Sequence, residues 1–121
     1  MWIEAKKGII LFHLDAVEFF TFEKGGNVNA YVKDFPLPAV ISVEEYEKLG
    51  IDDSSTWVAI ESYTKLKVVA RIKSILGIQR YEEVPFPYAE EAYKVHIDHA
   101  GATIVITKEI YDDLKSLLLT T

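Results

Sequence analysis

The stretch 41–49, Ile41-Ser42-Val43-Glu44-Glu45-Tyr46-Glu47-Lys48-Leu49, returns 65 residues later at 106–114 as Ile106-Thr107-Lys108-Glu109-Ile110-Tyr111-Asp112-Asp113-Leu114. Both copies read Ile, Ser/Thr, any residue, Glu, any residue, Tyr, an acid, any residue, Leu. Each follows a β-branched run, Val40-Ile41 or Ile104-Val105-Ile106. The hydroxyl residue can cap a helix N-terminus, and the acids after it suit the positive end of the helix dipole. The repeated unit is therefore a strand that turns directly into a helix, the helices running over about 43–49 and 108–119. Glu44 and Glu109 suit helix N-termini, while Tyr46 and Leu49, like Tyr111 and Leu114, are spaced to face a sheet together.

Outward from the first copy, Pro36-Leu37-Pro38 stops strand pairing, since each proline removes a ladder donor. Ahead of it, Lys24-Gly25-Gly26-Asn27 predicts a tight hairpin, because Gly and Asn reach positive φ cheaply. The hairpin joins a strand over 17–23 to one over 28–35. Val17, Phe19 and Thr21 are expected on one face of the first strand, with Phe20 and Phe22 on the other, so that it is central to its sheet. Residues 2–6 and 9–14 form an earlier hairpin turning at Gly8. Around the second copy, 78–84 and 93–99 read as strands, with a turn at 89–91, and Ala100-Gly101-Ala102 reverses the chain into a strand over 103–106. At the 65-residue offset, 15–49 and 80–114 align without a gap, which suggests a duplicated β-β-β-α unit, the repeats being 15–50 and 80–119.

Between the repeats, Asp52-Asp53-Ser54-Ser55 reads as a helix start and Gly77 as its stop, giving a helix over 54–77. Val68, Val69, Ile72, Ile75 and Leu76 fall in an arc of about 120° at 100° per residue. Its first half is less regular: the helix breaks near 62–64, or Glu61 and Lys65 pair across one turn. The expected fold is α+β, one domain over 1–121 with a mainly antiparallel sheet of six or seven strands and three helices, the long central one packed across the sheet.

Half of the 121 residues are apolar and 26% charged, the balance of a globular chain. No cysteine is present, which excludes disulfides, thiolate nucleophiles and cysteine-based zinc sites. No apolar run approaches the roughly 18 residues of a membrane span. The opening residues lack a secretory pattern, so a cytoplasmic chain is expected. Scarce Met, Asn and Gln beside plentiful Ile, Val, Tyr, Lys and Glu match a hot-growing source, such as a thermophilic archaeon or its virus.

Three groups of residues could carry function. Lys65, Lys67, Arg71 and Lys73 form an acid-free basic run in a chain of net charge -6, and on a helix Lys67 and Arg71 would share the face opposite the apolar stripe. With Arg80 and Lys94 they could bind phosphates, making a nucleic-acid-binding regulator the alternative function. Tyr81, Phe86, Tyr88 and Tyr93 surround Pro85 and Pro87, and aromatics on a rigid segment are interface material. His96 and Asp98 project from one strand face with His99 at the turn, the seed of a metal site for a metal-assisted enzyme, although no H-E-x-x-H or cysteine partner completes it. Most of the five adjacent acid pairs belong at helix starts and turns, and no nucleophile elbow or phosphate loop occurs. The function expected first is a non-enzymatic binding or assembly module that self-associates into a homo-oligomer, with no cofactor. Its contact surface would be the edge 39–41 or the segment 85–88.

Overall fold

The computed structural model describes residues 1–5, 8–82 and 92–121. The protein is α+β and its sheets are antiparallel. Among the described residues there are ten strands in three sheets and two α-helices.

β1 (Trp2–Ala5) and β2 (Ile10–His13) form the expected first hairpin, pairing Ile3 with Phe12. β3 (Val17–Phe22) and β4 (Asn27–Val32) form the second, closed by the Glu23 N–H donating to the Asn27 carbonyl, with Gly26 at φ 87°. β5 (Ala39–Ser42) runs into α1 (Val43–Glu47). Ser42 accepts from the Glu45 N–H while the Glu45 side chain accepts from the Ser42 N–H, a reciprocal capping box.

The helix expected over 54–77 does not form. β6 (Trp57–Glu61) and β7 (Lys67–Arg71) occupy its place as a hairpin, followed by a 3-10 turn (Ile72–Ser74) and β8 (Ile75–Arg80). The Ser62–Leu66 reversal is closed by the Ser62 N–H donating to the Leu66 carbonyl, with Lys65 at φ 70°. Asp52 and Asp53 belong to a short 3-10 turn (Ile51–Asp53), and the Ser54 hydroxyl accepts from the Thr56 N–H rather than capping a helix. The cause lies in burial. β7 is covered on both faces, so Val68-Val69-Ala70 shows no alternation and maps equally well onto a helical arc.

Two helices therefore replace three, and three sheets replace one of six or seven strands. The five-stranded sheet has the order β5-β4-β3-β7-β6. Its two faces carry separate cores. Phe20 and Val69 pack with Ile3 and Phe12 of the first hairpin and Tyr46 of α1. Phe19, Val68 and Ala70 pack on the other side with residues of β9 (Tyr93–Ile97), β10 (Thr103–Val105) and α2 (Lys108–Leu119). The second sheet, ordered β10-β9-β8, packs here where a central helix across the sheet was expected.

The repeat persists as geometry. Ala30 pairs with Ala39 and Val95 with Ile104; Asn29 pairs with Val40 and Lys94 with Val105, each at the 65-residue offset. Thr107 caps α2 through the Ile110 N–H as Ser42 caps α1 through Glu45. The gapless alignment fails upstream: the pair Phe20–Ala30 is matched by Ile78–Val95, so the first strand of the second unit lies at an offset of 58. The turn expected at 89–91 lies outside the described residues. No described helix is long and apolar enough to cross a membrane.

Candidate functional site

Glu18 is a carboxylate inside the central strand of the largest sheet. Val17 pairs with Val32 and Phe19 with Tyr31, so two residues of β3 step past one of β4 and Glu18 is the extra residue of a β-bulge. The bulge also corrects the expected facing: Val17 joins Phe20 in one core and Phe19 enters the other. Glu18 Oε1 lies 3.4 Å from His99 Nδ1, and each side chain is 11% exposed. The His99 ring stands edge-on to Phe19 and Tyr31, which are stacked 4.2 Å apart.

The β9–β10 turn delivers His99. Its carbonyl accepts from the Ala102 N–H across Ala100 (φ 50°) and Gly101 (φ 71°). Glu18 and His99 open into a cleft of about 300 Å³ shared with Lys33, Asp34, Asp98 and Ala100. Asp34 is also at positive φ, 65°, so two of the three non-glycine residues with this conformation among those described line one cleft. A proton on Nδ1 donates to Glu18 and leaves Nε2 as the basic nitrogen, the orientation a carboxylate imposes on a proton-transferring imidazole.

Of the expected metal group, Asp98 lines this cleft with His99, whereas His96 turns to β8. His96 Nε2 is 3.0 Å from Gln79 Oε1 on β8, and Asp98 is exposed between the two histidines. Among the described residues no three His, Asp or Glu side chains converge as a metal site. Glu18 is absent from every grouping drawn from sequence. Its signal was available: a lone acid in Val17–Phe22, a strand with aromatics on both faces, needs a buried partner.

The basic run does not share a helical face. Lys65 pairs with Glu61 at 3.1 Å. Lys67 lies 3.6 Å from Asp52 and above the Phe22 ring. Arg71 donates from Nε to the Val17 carbonyl and from Nη2 to the Leu14 carbonyl, with its guanidinium over Trp57. Lys73 is exposed in the 3-10 turn before β8. Of the aromatic group, Tyr81 carries Lys94 over its ring and Tyr93 packs 5.2 Å from Tyr111, while Phe86 and Tyr88, with the segment 85–88, lie outside the described residues. On the edge strand β5, Ala39 and Ile41 are core side chains.

A surface not singled out from sequence lies on the first hairpin. Ile3, Ala5 and Phe12 point into the core, whereas Trp2 is 65% exposed, Leu11 59% and Ile9, in the turn, 81%. Trp2 and Leu11 occupy the outward register of β1 and β2, with Glu4 opposite Leu11 and the Trp2 ring edge-on to His13. Period two across 2–5 and 10–13 puts apolar residues on both faces, so alternation alone does not say which of them point outward. No protein-family model, curated protein or solved structure matches the chain.

Proposed function

We propose that the protein is a non-enzymatic binding and assembly module that self-associates through the outer face of the β1–β2 hairpin. One observation carries this reading: Trp2 and Leu11 expose apolar surface on the outward register of a two-stranded sheet whose other face is already in the core, with Ile9 exposed in the turn beside them. Elsewhere among the described residues the exposed apolar side chains come in pairs, Phe35 with Leu37 and Tyr63 with Leu66, or singly, as at Leu76 and Leu119.

A second copy is the occupant that fits. In a two-fold contact the same patch serves both sides, so apolar meets apolar without a dedicated partner surface. Three side chains from each copy, at about 1.5–3 kcal/mol each for full burial, give a gross gain of about 9–18 kcal/mol. Association costs about 4–15 kcal/mol in lost freedom, which makes the dimer one that dissociates on dilution. Sedimentation velocity over a concentration series tests this. A reversible dimer that disappears in Trp2→Glu/Leu11→Glu is the expected result; a wild-type monomer at high concentration overturns the reading.

A second reading, proton transfer in the Glu18–His99 cleft, is favoured by the buried carboxylate aimed at Nδ1. Imidazole ¹⁵N shifts would then place the His99 proton on Nδ1, with that preference lost in Glu18→Gln. The same tautomer mixture in both proteins removes this reading.

A further inference from the structure

Among the described residues no carboxylate pairs with the positive charge of Arg71. The side chain is half-buried, fixed by the Val17 and Leu14 carbonyls at 3.0 and 2.9 Å and by the Trp57 ring 4.3 Å from its Cζ. Those carbonyls take two of its five N–H donors. No buried side-chain nitrogen or oxygen lacks a partner among the described residues, so Nη1, which bonds to none of them, reaches solvent. Arg71 lines a cleft of about 240 Å³ together with Ser54, Thr56 and Asp15. Ser54 and Thr56 hydroxyls are 2.9 Å apart, so one hydroxyl proton is spent between them and the other can be donated outward.

We propose that this cleft binds the oxyanion head of a small molecule, a carboxylate or a phosphate, against the open fork of Arg71. A planar guanidinium already immobilised loses little entropy on forming two parallel N–H···O bonds, and an anion supplies the counter-charge that no carboxylate among the described residues provides. A purely structural clamp would not need its spare donors grouped with hydroxyls at one opening. Asp15 at the rim is 85% exposed and beside His13, and its charge opposes the anion.

The test is a titration with inorganic phosphate and, separately, sodium acetate at constant ionic strength set with chloride. Trp57 fluorescence is followed in a Trp2→Phe background, where it is the sole tryptophan. The expected result is a saturable change with at least one of the two anions, and which anion produces it identifies the class. Arg71→Lys, which keeps the charge and loses the fork, is expected to weaken binding by about tenfold or more. Asp15→Asn, at an exposed site that leaves the fold intact, is expected to tighten it severalfold. No saturable change with either anion overturns the proposal, as does Asp15→Asn binding no more tightly than the parent. If Arg71→Lys does not fold, the Asp15→Asn comparison still decides.

Discussion

Glu18 and His99 are 81 residues apart in sequence and share one buried contact. Two ionisable side chains withdrawn from water recover little net stability from each other, yet removing one strands the other. His99→Ala is accordingly expected to lower unfolding free energy by about 3 kcal/mol, read by denaturant titration. Glu18→Leu/His99→Phe should restore it to within about 1 kcal/mol of wild type; a double variant as unstable as the single would show that the pair is there for stability. Tyr46 makes a different buried contact, its hydroxyl donating to Asp52 Oδ1 at 2.7 Å. Burial first, then that bond and the Asp52 charge, push its phenol well above the ordinary tyrosine range. A folded-state value raised above the unfolded one stabilises fully below the unfolded value of about 10 and is lost as pH rises beyond it. Thermal melts should therefore fall off above about pH 10. Tyr46→Phe should flatten that fall and cost about 1 kcal/mol at neutral pH. His99 was legible in the sequence as a candidate; Glu18 was marked only as a lone acid among aromatics, and its pairing with His99 was not legible, because a bulge leaves no mark in strand alternation.

Among the elements, the capped helices were legible almost to the residue, since the hydroxyl and the acids after it act locally. Ser42→Ala and Thr107→Ala, at matching positions of the repeat, should each cost about 1 kcal/mol in equilibrium unfolding. A much larger loss at either would mean that the hydroxyl holds more than its helix. The span 54–77 was misread for a reason that is not local. β7 lies between β3 and β6 and is buried on both faces, so Val68-Val69-Ala70 gives no period, and the arc through Ile72, Ile75 and Leu76 was completed from residues of the next turn and strand. What separates the readings is Trp57-Val58-Ala59-Ile60, aromatic and β-branched, before Ser62-Tyr63-Thr64, a turn composition. Weighing that composition above the wheel would have given the hairpin.

At the scale of the molecule, the five-stranded sheet is the element on which two cores are built, and that layering decides which surfaces remain free. One face takes the β1–β2 hairpin and α1, the other the second sheet and α2. The hairpin is the thinnest of these covers: two strands with, among the described residues, no further layer over Trp2, Ile9 and Leu11. The sequence suggested self-association but placed it at 39–41 or 85–88, because an outward tryptophan cannot be told from an inward one until the register with Phe12 and Ile3 is known. Among the described residues Lys65 and Lys67 lie beside Glu61 and Asp52, and Arg71 is held by two backbone carbonyls, so these members of the basic run are drawn into contacts inside the molecule rather than ranged along one helix face. The measurement that bears most directly on assembly is an isotope-filtered NOE experiment on a mixture of labelled and unlabelled protein at high concentration. Intermolecular NOEs from Trp2, Ile9 and Leu11 to the same residues of a second copy are the predicted result. A dimer whose NOEs arise elsewhere, or no intermolecular NOE at all, would contradict the assignment of this face.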